Sequence, residues 1–175
     1  NILTNQFSYS SKNCNILRYG ENPHQKGAFY GNLNEVFSKL NGKELSYNNL
    51  LDIDSAINLI DEFKNKSFAI LKHNNACGFA TDENLSSAYK KALAGDPLSA
   101  FGGVLITNDT INIKCAKLVN ELFFEVIIAN DFSYEALELL KSKKNRVILK
   151  KKNVKLDKLN FRSVLNGVIC QETVS

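Results

Sequence analysis

The sequence predicts an α/β fold, a three-layer α/β/α sandwich, and three observations support this class. Short apolar runs alternate with segments in which apolar residues recur at helical spacing, from about residue 67 to residue 149. The runs are continuously apolar, which is typical of strands that are covered on both faces. Helical segments separate consecutive runs, as expected for a mostly parallel sheet.

The individual elements follow in chain order. Residues 1–15 are polar and rich in Ser and Asn, so we expect little regular structure there. Two short strands at 28–30 and 36–40 and a turn at 41–43 precede the first helix. The other expected elements are helices at about 48–64, 83–94, 113–122 and 134–140 and strands at 67–71, 104–106, 126–129, 147–149 and 167–170.

Composition argues against several classes of protein. The four cysteines lie far apart without a C-x-x-C pair, which argues against a zinc site and a disulfide framework and indicates reduced thiols in a cytoplasmic protein. No apolar run approaches the ~20 residues that a membrane span requires, so no membrane association is expected. The net charge of +4 suits anionic small-molecule ligands but is too small to demand nucleic acid.

Most of the positive excess lies in residues 141–146 and 150–152, on either side of a predicted strand. We interpret these lysines and the arginine as a helix C-terminus and a strand-end turn, where cations complement the helix dipole. An RNA-binding surface is the alternative, and it predicts an RNA affinity that falls steeply with salt concentration.

A polar cluster follows the apolar run at 67–71 and contains Lys72 and His73. Ligands of open α/β sheets bind beyond the carboxyl ends of the strands, so the cluster is well placed for a site. Adjacent strand residues point to opposite faces, so both side chains reach one ligand only if the chain leaves the strand there. A lysine that stabilises a developing anion and a histidine that removes a proton suit group transfer. A solvated loop is the alternative interpretation.

Two other segments, 17–25 and 95–103, are also rich in Gly, Pro and side-chain donors. Arg18 offers a planar fork of donors for a phosphate or carboxylate, and Tyr19 beside it can stack on a ring. Gly102 and Gly103 let the backbone approach a ligand, although a turn into the next strand explains them equally well. The spacings of Rossmann and P-loop motifs are absent, so neither site is predicted.

Together these segments resemble the transformylase domain of the bifunctional purine-biosynthesis family AICAR formyltransferase/IMP cyclohydrolase, where AICAR is 5-aminoimidazole-4-carboxamide ribonucleotide. The motifs that carry the resemblance occur in the family's order and spacing: Leu17-Arg18-Tyr19-Gly20-Glu21-Asn22-Pro23-His24-Gln25, Gly42-Lys43-Glu44-Leu45-Ser46-Tyr47-Asn48-Asn49, Lys72-His73-x-Asn75-x-Cys77-Gly78, Asp96-Pro97-x-Ser99-Ala100-Phe101-Gly102-Gly103 and Glu125-Val126-Ile127-Ile128-Ala129. One departure is Ala76, where the family often has Pro.

The resemblance implies a cytidine-deaminase-like fold without zinc. It also implies transfer of a formyl group from the co-substrate 10-formyltetrahydrofolate to the 5-amino group of AICAR in de novo IMP synthesis. The histidine would assist removal of the amine proton and the lysine the departure of the folate nitrogen, with no catalytic metal. The implied site residues are Lys72 and His73 for catalysis, Arg18, Tyr19, Asn49 and Gly102 for AICAR, and Phe101, Leu98 and Glu125 on the folate side.

The resemblance also implies a domain organisation. Residues 1–16 would be an arm from a missing cyclohydrolase domain, and residues 17–175 the first transformylase subdomain, with the second subdomain missing. Since the family's site is assembled across a homodimer from both subdomains, we expect the chain to be inactive alone, in a parent protein that is also an IMP cyclohydrolase. A non-catalytic nucleotide-binding module of the same fold is the alternative.

Overall fold

The structure is a computed structural model that describes residues 3–157 and 159–173. Its strands are, in chain order, β1 (Cys14–Ile16), β2 (Ala28–Tyr30), β3 (Phe37–Asn41), β4 (Ser67–Lys72), β5 (Asn75–Thr81), β6 (Gly103–Thr107), β7 (Thr110–Ile111), β8 (Phe124–Ala129), β9 (Asp131–Phe132), β10 (Val147–Lys151), β11 (Leu159–Val164) and β12 (Gly167–Glu172). Its helices are α1 (Tyr47–Ile60), α2 (Leu85–Gly95), the single turn α3 (Pro97–Ala100), α4 (Ile113–Val119) and α5 (Tyr134–Leu140), and a 3-10 turn spans Leu33–Glu35.

A six-stranded sheet in the order β3-β10-β8-β6-β4-β5 forms the centre of the fold. Side chains alternate between its two faces, since successive strand residues point in opposite directions. Along β4, for example, Phe68 and Ile70 join one hydrophobic cluster while Ala69 and Leu71 join the other. Helix α1 packs on the second cluster, and α2, α4 and α5 pack on the first. The fold is therefore mixed α/β, with helices on both faces of the sheet.

The sheet is mixed, and the expectation of a mostly parallel sheet is wrong. Only the pairings of β8 with β6 and with β10 are parallel, whereas β3, β4 and β5 run antiparallel to their neighbours. The reason is local: β4 returns directly into β5 through a tight turn instead of a crossover helix, and hairpins make antiparallel pairs.

The N-terminal segment contains more structure than its polar composition indicates. Strand β1 pairs antiparallel with β2, which corrects the expectation of little regular structure for residues 14 and 15. The Tyr9 hydroxyl also donates to the carbonyl of Tyr30 at 2.9 Å. Residues 1, 2, 158, 174 and 175, which belong to the predicted arm and subdomain, lie outside the described residues.

The helices begin where a capping side chain precedes them. Ser46, Asn84, Asn112 and Ser133 each accept a hydrogen bond from the backbone N–H three residues later. Such caps satisfy donors that the helix itself leaves free. They place the starts of α1, α2, α4 and α5 within two residues of the predicted positions, whereas α1 and α4 end earlier than the apolar pattern predicts. No helix in the described ranges is long and apolar enough to cross a membrane.

Candidate functional site

A cleft of about 730 Å³ opens at one edge of the central sheet. This volume lies in the usual range for small-molecule sites. The cleft is lined by the segment after β1, by the first turns of α1, by the β4–β5 turn, and by residues at the starts of β6 and β8. The predicted site residues in its lining are Tyr19, Asn49, Lys72, His73, Phe101, Gly102 and Glu125.

The edge at which the cleft lies differs from the expectation for a parallel sheet. The cleft is at the carboxyl end of β4, as predicted, but Gly102 immediately precedes β6 and Glu125 is the second residue of β8. Because β4 runs antiparallel to β6, the end of β4 and the starts of β6 and β8 share one edge. The polar groups therefore converge at the amino ends of two parallel strands.

The β4–β5 turn presents His73 to the cleft. His73 and Asn74 have φ angles of 51° and 66°, and the flanking Lys72 and Asn75 pair across the hairpin. Two consecutive left-handed residues are characteristic of a type I′ turn, which fits the twist of the hairpin strands. His and Asn are among the residues that adopt this conformation most readily. The chain leaves the strand at His73, as the hypothesis of a shared ligand requires.

Lys72 reaches across the edge of the sheet toward the segment before β6. Its Nζ donates a hydrogen bond to the carbonyl of Phe101 at 2.6 Å. Gly102 adopts φ 75°, and its N–H donates to the carbonyl of Phe123 at 2.8 Å. A side chain at position 102 would lie 3.9 Å from the Lys72 Nζ and would be conformationally strained. The glycine thus keeps the space beside the lysine open.

The first turn of α1 connects this edge to β8. Ser46 and Asn49 form a capping box, in which the Asn49 Oδ1 accepts from the Ser46 N–H at 3.0 Å. The Asn49 amide Nδ2 then donates to the Glu125 Oε2 at 3.1 Å. Since Asn49 is buried, with 4% exposure, its donor and acceptor are both held in fixed directions. Asn49 therefore orients the Glu125 carboxylate at the cleft.

We expect Asn49→Asp to lower the free energy of unfolding at pH 7 by about 1–3 kcal/mol, because it replaces a donor with a carboxylate facing Glu125 in a buried position. The acceptor of the capping box is retained. Urea unfolding of the wild type and the variant at pH 7 measures the effect. Adding Glu125→Gln should restore stability at pH 7, and a loss that this second change leaves intact would contradict the contact.

Arg18 and Tyr19 form a joined pair beside the cleft. The Arg18 guanidinium lies 4.7 Å from the centre of the Tyr19 ring, and its Nη2 donates to the Tyr19 hydroxyl at 3.1 Å. Tyr19 lines the cleft. Within residues 3–157 and 159–173, the buried Arg18 Nε lacks a hydrogen-bond partner. The pair thus places the Tyr19 ring at the cleft, whereas Arg18 lies behind it, outside the cleft lining.

Two phenylalanines form an exposed aromatic surface next to Gly102. The rings of Phe101 and Phe123 lie 5.0 Å apart and are 59% and 54% exposed. Large exposed aromatic side chains at a cleft are suited to contact a planar ligand. Leu98, the other predicted folate-side residue on this segment, is 88% exposed on α3 and lies outside the cleft.

Asp52 is a site residue that the sequence prediction missed. It lines the cleft, and its Oδ1 accepts the Asn74 N–H at 2.9 Å. Burial raises the pKa of its carboxyl group, and this effect is opposed by the Asn74 hydrogen bond and by His73. The signal that could have identified Asp52 is its position three residues after Asn49, which places both on one helix face.

A second cavity, of about 520 Å³, lies near the predicted basic segment and is bordered by Lys43, Lys143, Lys144 and Arg146. Arg146 is buried there, stacks on Phe124 and donates to Asn120 and the Leu140 carbonyl. These contacts join the ends of α4 and α5 and give Arg146 a structural role.

As for metals, the described part of the chain has no group of three or more His, Cys, Asp or Glu side chains that could hold an ion.

Comparison with known proteins identifies the family. The AICARFT/IMPCHase bienzyme family matches residues 1–175. The bifunctional purine biosynthesis protein PurH of Bacteroides thetaiotaomicron is 58% identical over 166 residues, which cover 95% of this chain and 33% of that protein. PurH of a Thermoanaerobacter species is 41% identical over 170 residues, which cover 94% of this chain and 34% of that protein. The chain thus spans about a third of the length of these relatives.

Similarity to solved structures is weaker. RibD of Acinetobacter baumannii aligns with 52% of this chain and 32% of its own, at 15% identity and a TM-score of 0.42. This value is too low to support an argument about fold or function. The family match over the whole chain and the identity to PurH proteins are sufficient by themselves: the chain belongs to the AICARFT/IMPCHase bienzyme family.

Proposed function

We propose that this chain is part of an AICAR transformylase, which transfers a formyl group from 10-formyltetrahydrofolate to the 5-amino group of AICAR during IMP synthesis. The parent protein would also act as an IMP cyclohydrolase. The observation that carries the proposal is the convergence of Lys72 and His73 on one cleft with the residues implied for both substrates. Membership of the family and the purine-biosynthesis names of the relatives support it.

The reaction forms one bond from nitrogen to the formyl carbon and breaks another. The co-substrate supplies the formyl group on a nitrogen that leaves. His73 takes the proton that the attacking amine loses, and its position at the tip of the turn leaves the imidazole free for this role. Lys72 stabilises the negative charge that develops as the folate nitrogen departs, and that nitrogen ends protonated. Protons and electrons balance without a metal.

The two sides of the cleft suit the two substrates. Arg18 would hold the nucleotide phosphate with its guanidinium, and Tyr19, which lines the cleft, would contact the base or ribose. Asn49 and Gly102, which line the cleft, would bind AICAR as well. Phe101 stacks on the folate ring, and Glu125 lies beside it. The folate-side role of Leu98 stays a prediction that requires a partner element to cover α3.

The wider organisation follows from the same proposal. The fold would be a cytidine-deaminase-like sandwich that has no zinc. A cytoplasmic homodimer would complete the site with a second subdomain, and nucleic acid and membranes would not be partners. Residues 17–175 alone would then have at most a trace of formyl transfer. A chain of this length that turned over at the rate of the full-length gene product would overturn the assembled-site part of the proposal.

Substitution of Lys72 separates catalysis from the alternative, a nucleotide-binding module that has lost activity. In the full-length gene product, we expect Lys72→Met to lower kcat for formyl transfer by roughly 10²–10³-fold, the range found when one electrostatic stabiliser is removed. AICAR affinity should change little. Lys90→Met, on an exposed position of α2, is the matched control and should keep wild-type turnover. A wild-type protein that binds AICAR without turnover would favour the binding module instead.

A further inference from the structure

Asp52 contacts the site through the backbone of the β4–β5 turn. The hairpin ladder uses the flanking pair Lys72 and Asn75, and the N–H of Asn74 donates to Asp52 instead, at 2.9 Å. His73 and Asn74 both have positive φ, so the turn adopts a conformation that few residues favour. A hydrogen bond from outside the hairpin therefore fixes the turn that carries the histidine.

The same helix face also contacts β8. Asn49 and Asp52 are three residues apart on α1, which places their side chains next to each other. Asn49 donates to Glu125 at the start of β8, while Asp52 accepts from the turn at the end of β4. One face of α1 thus joins the two strand ends that border the cleft, and the relative position of the imidazole and Glu125 depends on both contacts.

The negative charge of Asp52 does not add to folding stability. Burial raises the pKa of Asp52, and the nearby Glu125 raises it further. A carboxyl group whose pKa is raised by folding stabilises the fold most at low pH, and this contribution is lost as the pH rises through the folded-state pKa. Above that pKa the charge of Asp52 therefore lowers stability, so the property of this side chain that the turn uses is the oxygen that accepts the Asn74 N–H.

We propose that Asp52 is a positioning residue for formyl transfer: its side-chain oxygen holds the His73–Asn74 turn against α1 and so aims the His73 imidazole at the reacting amine. The inference rests on the proposed function and adds a residue and a contact to it. Asp52 acts on the imidazole through the turn, by accepting the hydrogen bond from the Asn74 N–H.

Two substitutions in the full-length gene product isolate the hydrogen bond. Asp52→Asn keeps an oxygen that can accept the Asn74 N–H and removes only the charge, whereas Asp52→Ala removes the acceptor. Asp54→Ala is the matched control, since Asp54 is an acid on the same helix, is exposed to solvent and does not line the cleft. The measurements are kcat, KM for AICAR, and amide hydrogen exchange of the peptide that spans the turn.

We expect Asp52→Ala to lower kcat about 10–100-fold, the loss that follows when a catalytic group is misplaced by about 1 Å. KM for AICAR should change little, and the turn amides should exchange faster. Asp52→Asn and Asp54→Ala should stay within a few-fold of wild type in every measurement. Asp52→Asn should keep wild-type activity because the oxygen of its side-chain amide can accept the Asn74 N–H in place of the carboxylate.

Three results would overturn the inference. Undiminished kcat in Asp52→Ala would show that the turn needs no outside contact. An equal loss in Asp52→Asn would assign the effect to charge, and an equal loss in Asp54→Ala would assign it to the helix as a whole. If the wild-type protein transfers the formyl group and one of these three results is found, only the role of Asp52 is wrong. If the wild-type protein itself shows no formyl transfer, the proposed function is wrong as well.

Discussion

His73→Asn should lower kcat for formyl transfer by roughly 10²–10⁴-fold, the usual contribution of a general base. Asparagine is the appropriate replacement because position 73 has φ 51°, and Asn tolerates this conformation well while Ala does not. The turn should therefore keep its shape, and only the imidazole should be lost. The measurement is steady-state kinetics of the full-length gene product at saturating AICAR and 10-formyltetrahydrofolate.

The chain offers a matched control, because it contains two histidines. His24 is exposed in the loop after β1 and lies outside the cleft lining. His24→Asn should leave kcat within about two-fold of wild type. If His73→Asn retained most of its turnover, or if both variants lost it equally, the assignment of the base to His73 would be wrong.

Gly78→Ala should lower the free energy of unfolding more than Asn49→Asp does. A Cβ atom at position 78 would lie 1.9 Å from the carbonyl oxygen of Ala92, so β5 and the backbone of α2 cannot both keep their positions. Ala92 and its neighbours on α2 cover the sheet with buried apolar side chains, and a shift of this helix would open that core. We expect the free energy of unfolding to fall by about 3 kcal/mol or more.

Gly167→Ala is the control for this substitution. Gly167 opens β12 in the outer hairpin, and an added Cβ would meet no atom within 4 Å among the described residues. It should change the free energy of unfolding by less than about 0.5 kcal/mol. Urea unfolding of the two variants gives the comparison, and a Gly78 variant as stable as the Gly167 variant would contradict the close packing of α2 on β5.

The fold class was predictable because most of the core strands are continuous apolar runs. Strands β4, β6, β8 and β10 were predicted within two residues at either end. Strand β5 was not predicted, because its sequence contains a glycine and polar residues and it forms the edge of the sheet, where only one neighbour and one face constrain it. Because β5 was not predicted, the β4–β5 hairpin was not predicted either, and β4 was expected to run parallel to its neighbours.

The site was predictable to the extent that its residues carry unusual chemistry in the local sequence. Lys72, His73 and Arg18 stand out because polar groups follow or flank apolar runs. Asp52 does not stand out in the local sequence in this way, since an acidic residue near the start of a helix is common. Its contact with Asn74 depends on how α1 packs against the sheet, and that packing joins residues 22 positions apart.

The most direct measurement of the central claim is product analysis after mixing the full-length gene product with AICAR and 10-formyltetrahydrofolate. We predict that tetrahydrofolate appears in an amount equal to the sum of formylated AICAR and the IMP that cyclisation makes from it, and that His73→Asn slows the formation of both the folate product and the formylated product by roughly 10²–10⁴-fold while still binding AICAR. Binding of AICAR by the wild-type protein without either product, or equal product formation by the variant, would contradict the account.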